Sequence, residues 1–235
     1  MALEKLKRSI KQIFTSNEIE RYSREVEERL PSPMVRKEEG AQLLYPWNDM
    51  ECKTYDNSQG KYRYGYPEGA IIHYTASHGS LSTEFSYARG KGFCYFIIDK
   101  AGNVAQMAPL DGWGYHAGKS SCHLGNGVSK YLVGIEVICA GKLNDRLETW
   151  WGAPVASDKV RRNDQGEIFE KFTDAQERVL NSLLVWLKAN NPGVFKFSNV
   201  LGHEEVSPGR KVDPGASFSW DLSDYRKHLE ITFFK

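Results

Sequence analysis

The residues best suited to chemistry lie in one proline-bounded loop, Gly202–Gly215, which holds a histidine, a lysine and an aspartate. His203 and Asp213 in this loop carry an imidazole and a carboxylate, which are both ordinary ligands of zinc. A catalytic zinc needs three protein ligands and keeps a fourth position for water. His73 is the best candidate for the third ligand, because it ends a short apolar run, 70–74, that is typical of a buried strand. The sequence therefore predicts a metal site built from two distant parts of the chain.

Four motifs follow one another along the chain. They are Ile72-His73-Tyr74-Thr75, Trp113 to Gly118, Gly134-Ile135-Glu136, and Gly202 to Gly215. In this order and approximate spacing the chain resembles the zinc-dependent N-acetylmuramoyl-L-alanine amidases of the amidase-2 class, over roughly Pro67 to Trp220. The run Ser207–Lys211 followed by Asp213 is most similar to the AmpD branch of anhydro-muropeptide amidases, in which the third ligand is an aspartate and not a cysteine.

The resemblance implies a zinc enzyme that hydrolyses the amide between N-acetylmuramic acid and the L-alanine of peptidoglycan or muropeptides. It implies Glu136 as the general base and Lys211 as the catalytic cation. Apolar strand neighbours of Glu136 would raise the pKa of its carboxyl into a useful range, although strand alternation also allows it to face solvent. Lys211 lies two residues before Asp213, so both side chains can project to the same side of an extended loop. Arg210 is an equally charged neighbour.

Three further residues are candidates for substrate binding. His116 lies in a turn with Ala117 and Gly118, whose small size would let a sugar-peptide approach the backbone closely. Trp113 and Tyr115 could offer an aromatic face to a sugar, or serve as packing lids. We expect these three side chains to contact the substrate and not the zinc.

Two features depart from the family pattern. Many amidase-2 members carry a Tyr-His pair in the second strand, whereas this chain has Tyr95-Phe96. The segment from Gly141 to Phe172, which contains Trp150 and Trp151, is also long for a plain connection. Long ordered loops often shape a site, so this segment could line a substrate groove.

Composition and charge argue against several classes of partner and location. The chain has 235 residues with 31 basic and 30 acidic side chains and a formal charge of +1, so no nucleic-acid partner is expected. The N-terminus lacks the pattern of a secretory signal, and no run approaches the ~20 apolar residues of a membrane span. We expect a protein that is cytoplasmic as synthesised, with later delivery to the cell wall left open. The four cysteines show no CxxC spacing and are expected as free thiols.

The pattern predicts three parts: an N-terminal helical hairpin at 1–33, a connecting segment at 34–66 and a catalytic domain at 67–235. The domain should be α/β, with a mixed central β-sheet flanked by helices. Its predicted strands are 70–74, 94–99, 104–107 and 131–139, with a hairpin turn at 100–103. Its predicted helices are 82–89 and the stretch from 173 to about 190, where Thr173 and Gln176 form a capping box.

Two rival functions belong to other classes. A non-catalytic peptidoglycan-binding protein on the same fold would bind without turnover and would typically lack a ligand. A structural or assembly protein would self-associate through the N-terminal helices, whose apolar faces could equally pack on the catalytic domain or on a second subunit.

Overall fold

A computed structural model describes Tyr45 and residues 56–233, apart from the side chain of Phe233. The predicted N-terminal hairpin, its self-association and Cys52 lie outside the described residues. The strands are β1 Gly60–Lys61, β2 Ala70–Tyr74, β3 Phe96–Ile98, β4 Val104–Gln106, β5 Gly112–Trp113, β6 Ser121–Cys122, β7 Gly125–Asn126, β8 Val133–Val137, β9 Lys142–Leu143, β10 Val160–Arg162, β11 Ile168–Glu170 and β12 Val200–Gly202. The α-helices are α1 Leu81–Lys91, α2 Asp174–Asn190, α3 His203–Val206 and α4 Leu222–Phe233.

The central sheet is mixed, as predicted, and runs in the order β12-β2-β8-β3-β4. Strands β12, β2, β8 and β3 are parallel, and β4 is antiparallel to β3. His73 in β2 pairs with Glu136 in β8, which in turn pairs with Ile97 in β3. Because paired residues of neighbouring strands point to the same face, these three side chains share one face of the sheet. His203 follows β12 directly, so two predicted ligands lie at the carboxyl ends of adjacent strands.

The helices cover the sheet with their apolar faces. Helix α1 begins at the capping residue Ser80, and its buried side chains pack around Ile97 in a cluster formed by Leu81, Phe85, Ala88, Tyr95, Ala105, Met107 and Ile138. Helix α2 has the predicted capping box of Thr173 and Gln176. The amide of Gln176 also donates to the carbonyl of Ile138 at 2.8 Å, which ties the start of α2 to the sheet.

The structure adds elements that the sequence patterns did not predict. Strand β12, helix α4 and the small strands were not foreseen, and β1 pairs with β5 although residues 60–61 fall in the predicted connecting segment. The long segment 141–172 forms its own three-stranded sheet, in the order β10-β11-β9. Cys94, Cys122 and Cys139 are free thiols, as predicted. No described helix has the length and apolar character that crossing a membrane requires.

Candidate active site

The three predicted metal ligands lie together. His73 Nδ1 is 2.9 Å from His203 Nδ1 and 3.1 Å from Asp213 Oδ2, and His203 Nδ1 is 2.9 Å from the same oxygen. All three residues are buried. Among the residues that the structure describes, these three form a group that could hold a metal ion.

A chain of hydrogen bonds fixes the tautomer of His73. His116 Nε2 lies 2.9 Å from the carbonyl oxygen of Leu132, which can only accept, so Nε2 carries the proton. Burial lowers the pKa of His116 well below its usual value, so the ring is neutral and its Nδ1 is an acceptor. His73 Nε2, at 3.1 Å, must donate to that nitrogen. Burial lowers the pKa of His73 to about 4, so this ring is neutral too and its Nδ1 directs a lone pair into the cluster.

His203 is oriented by a backbone carbonyl. Its Nε2 lies 3.0 Å from the oxygen of Ala117 and 3.3 Å from Arg210 Nη2. The shorter contact, with a carbonyl that can only accept, favours the proton on Nε2, and a neutral ring in this tautomer directs the lone pair of Nδ1 into the cluster. Arg210 helps to fix this carbonyl, since its Nη2 lies 2.8 Å from the oxygens of both Ala117 and Lys119. An outer hydrogen bond of this kind commonly sets the tautomer of a metal-binding histidine.

Glu136 extends the cluster on the same face of the sheet as His73. Burial raises the pKa of its carboxyl well above the usual value, and the nearby Asp213 raises it further, while Lys211 acts in the opposite direction. Within the described part of the chain, Glu136 Oε2 is the buried side-chain oxygen that has no hydrogen-bond partner. A buried carboxyl oxygen without a partner is costly for stability, so its retention points to a functional use.

The two adjacent cations, Arg210 and Lys211, have different surroundings. Arg210 donates to backbone carbonyls and to Ser207 Oγ at 2.7 Å, so it braces the loop. The charge of Lys211 lowers the pKa of Glu136 and of His73, which places its ammonium within electrostatic reach of both. Arg210 and Lys211 carry equal charges, and the structure gives them different contacts.

The donor set fits a zinc ion. Ligand atoms held at about 2.0–2.1 Å from a tetrahedral zinc stand about 3.3 Å apart, and the three atoms here are separated by 2.9 to 3.1 Å. Two imidazole lone pairs and a carboxylate oxygen at this spacing repel one another unless a cation lies between them. The cluster therefore has both the chemistry and the spacing of a metal site.

Comparison with known proteins agrees with this geometry. A family model described as N-acetylmuramoyl-L-alanine amidase matches residues 63–216. The chain belongs to this amidase family.

Curated relatives and solved structures of the family are moderately similar to this chain. The 1,6-anhydro-N-acetylmuramyl-L-alanine amidase AmpD of Salmonella typhimurium is 26% identical over 153 residues, which cover 63% of this chain and 65% of the relative. The Escherichia coli K12 AmpD is 26% identical over 137 residues, which cover 58% of each chain. The chain thus spans about two thirds or less of the length of these relatives.

The solved structures show the same fold. AmiD from E. coli, solved with the substrate anhydro-N-acetylmuramic acid-L-Ala-D-gamma-Glu-L-Lys, has a TM-score of 0.51 at 21% identity, covering 74% of this chain and 61% of that one. AmpDh3 from Pseudomonas aeruginosa has a TM-score of 0.51 at 17% identity, covering 85% of this chain and 66% of that one.

Of the remaining predicted site residues, His116 contacts the cluster through His73. Both ring nitrogens of His116 are engaged within the protein, by His73 and Leu132. Trp113 is partly buried and meets the exposed Tyr115 edge to face, with 5.6 Å between ring centroids. Their roles in substrate binding stay predictions. The orienting partners Ala117 and Leu132 act through backbone carbonyls, which no side-chain pattern could reveal.

Proposed function

We propose that this chain is a zinc-dependent N-acetylmuramoyl-L-alanine amidase, which hydrolyses the amide between N-acetylmuramic acid and the L-alanine of the stem peptide in peptidoglycan or muropeptides. The observation that carries the proposal is the convergence of His73 Nδ1, His203 Nδ1 and Asp213 Oδ2 beside the unpartnered Glu136 Oε2. Family membership and the named amidase relatives support it.

His73, His203 and Asp213 would hold the zinc. When bound there, zinc supplies a Lewis acid and lowers the pKa of a water molecule towards about 7. The arrangement of two imidazoles and one carboxylate also suits other divalent metals, but amide hydrolysis requires no redox chemistry. Metal analysis of the purified protein distinguishes these ions.

Glu136 is suited to move the proton. Because its pKa is raised, Oε2 can take a proton from the attacking water and return it to the nitrogen of the departing L-alanine. Lys211 brings a positive charge to the same region, where it can stabilise the negative oxygen that develops as the carbonyl is attacked. Glu136 needs no rearrangement of the sheet to act, since it already pairs with His73.

His116 has a supporting role in this scheme. It accepts from His73 Nε2 and donates to Leu132, so it keeps the lone pair of His73 directed at the metal. Trp113 and Tyr115 remain candidates for contact with the muropeptide, and Tyr115 has the exposure that such a contact needs.

The test is hydrolysis of an N-acetylmuramoyl-peptide by the full chain. We expect release of the peptide with a free L-alanine amine, loss of activity with a chelator and recovery with zinc. Asp213→Ala should lose both zinc and activity, whereas Asp164→Ala, at an exposed aspartate, should keep both. Turnover by Asp213→Ala at the wild-type rate would contradict the proposal.

The rival function, peptidoglycan binding without catalysis, predicts affinity with no product. The arrangement weighs against it, because a binding protein gains nothing from an unpartnered buried carboxyl at Glu136. Mass spectrometry of the reaction mixture decides between the two.

A further inference from the structure

The segment 141–172 presents two tryptophans on a tight turn. The turn runs from Thr149 to Gly152, where Gly152 N donates to the carbonyl of Thr149 at 2.9 Å. Its two central residues are Trp150 and Trp151, whose rings meet edge to face with 5.4 Å between centroids. Turn tips of this kind usually carry small polar residues, so two large aromatic rings here call for an explanation.

Trp150 is exposed and yet fixed in position. At 77% exposure it is the most exposed large hydrophobic side chain among the described residues. Its indole Nε1 donates to the carbonyl of Ala76 at 2.8 Å. Ala76 itself has a φ of 54°, an uncommon conformation for a residue with a side chain. Trp151 is held from the other side by the ring of His78, at 5.2 Å between centroids. Trp150 is therefore anchored at its indole N–H, and Trp151 is held by a ring contact.

Segment 141–172 contacts the chain just beyond two of the candidate metal ligands, His73 and Asp213. Ala76 lies three residues beyond His73, which limits the distance between their Cα atoms to about 11 Å. On its other side, Phe172 N donates to the carbonyl of Ser217 at 2.8 Å, four residues beyond Asp213. Trp150 is therefore bonded to the backbone three residues beyond His73, and the end of the same segment is bonded to the backbone four residues beyond Asp213.

We propose that Trp150 and Trp151 form an aromatic subsite for a sugar ring of the glycan strand that flanks the muramic acid whose amide is cleaved. This inference rests on the proposed amidase function and deepens it. The faces of an indole are electron-rich and attract the polarised C–H groups of a pyranose ring. Since the N–H of Trp150 is already bonded to Ala76, the ring offers its faces and not its polar edge.

The other occupant to consider is an ammonium group of the stem peptide, which would bind the same rings by a cation–π contact. Two carboxylates near the turn, those of Glu148 and of Glu170, are already engaged. Glu148 Oε2 accepts from Asn144 at 2.9 Å, and Glu170 pairs with Lys100 at 2.8 Å and with His78 at 3.0 Å. A neutral sugar therefore fits this surface better than a cation.

The experiment compares Trp150→Ala with wild type on two substrates that share the scissile amide. One is a single N-acetylmuramoyl-peptide and the other carries flanking N-acetylglucosamine residues. We expect kcat/KM to fall about three- to tenfold on the flanked substrate alone. Trp150→Phe, which keeps an aromatic face, should retain most of it. Tyr87→Ala, which removes another exposed aromatic ring, is the matched control and should change neither value.

Other outcomes overturn the inference. An equal fall on both substrates would make Trp150 a support for the fold or the metal site, and a fall only with stem peptides that carry an ammonium would assign the rings to the peptide. If wild type cleaves neither substrate, the amidase proposal fails by itself. Tryptophan fluorescence with N-acetylglucosamine oligomers then tests the subsite alone: a response that Trp150→Ala abolishes supports it, and no response in wild type refutes it.

Discussion

Replacing His116 by alanine tests most directly whether His116 orients His73 as a metal ligand. The change leaves His73 Nε2 without the acceptor that it has at 3.1 Å, so the ring is free to turn or to place its proton on Nδ1. Removing an outer hydrogen-bond partner of a metal ligand typically weakens metal binding 10- to 100-fold, or about 1.4 to 2.7 kcal/mol. We expect a loss of zinc affinity in this range, measured by competition with a chromophoric chelator.

Three further variants separate an orienting role of His116 from a simple loss of packing. His116→Asn can place an amide oxygen near the former Nδ1, so it should recover part of the zinc affinity. His123→Ala removes an exposed histidine and should leave the affinity unchanged. Gly134→Ala perturbs the same contact from the other side, because a Cβ there would lie 2.7 Å from Cγ of His116. It should weaken zinc binding although it removes no polar group.

Nitrogen chemical shifts of the metal-free protein provide a readout that does not depend on activity. His73 should show a protonated Nε2 and an unprotonated Nδ1, and the His116→Ala variant should lose this preference. Wild-type zinc affinity in His116→Ala would refute the reasoning. If instead KM rises while zinc affinity stays constant, His116 is a substrate ligand, as the sequence alone predicted.

Three further predictions concern the groups around the cluster. Glu136→Gln should lower kcat 10²- to 10⁴-fold in steady-state assays while zinc analysis shows full occupancy, because only proton transfer is lost. Lys211→Ala should lower kcat about 10²-fold or more with little change in melting temperature. Arg210→Ala should instead lower the melting temperature, because it leaves two backbone carbonyls without their donor. The opposite pattern would contradict the catalytic role of Lys211 and the structural role of Arg210. Burial raises the pKa of Glu204 from 4.5 to about 7. In metal-free protein, as pH rises through this range, the Glu204 carboxyl therefore loses its proton in the unfolded chain before it does so in the folded one. The free energy of unfolding should then fall by at most about 3 kcal/mol, and Glu204→Gln should flatten that part of the urea-denaturation profile.

Local patterns predicted the parts of the fold that have strong local determinants. The apolar run of β2 and the capping box at the start of α2 are such determinants, and both elements occur where they were expected. Strand β12 has three residues and forms because it pairs with β2, so its determinant is a tertiary contact. The sheet within 141–172 likewise depends on pairing between short strands that carry no long alternating run.

The ligand set could be predicted because its residue types are chemically distinctive, and the structure brings all three together. The orientation of those ligands could not be predicted. It depends on the carbonyls of Ala117 and Leu132, which any residue type would supply, and on which way His116 turns. Resemblance to a family indicates which residues matter, but it does not show that both nitrogens of His116 are engaged within the protein.

Strand β8 contains two residues at the candidate site whose types are unfavourable in a β-strand. Glycine weakens a strand interior and glutamate is depleted from strands, yet Gly134 and Glu136 both lie in this five-residue strand. A side chain at position 134 would collide with the ring of His116, and the carboxyl at position 136 lies beside His73 in the pairing register. The two residues that suit a strand least are therefore the one that makes room for the His116 ring and the one that pairs with the candidate ligand His73. Their cost to the strand is offset by Val133, Ile135 and Val137, whose buried side chains hold β8 in the core.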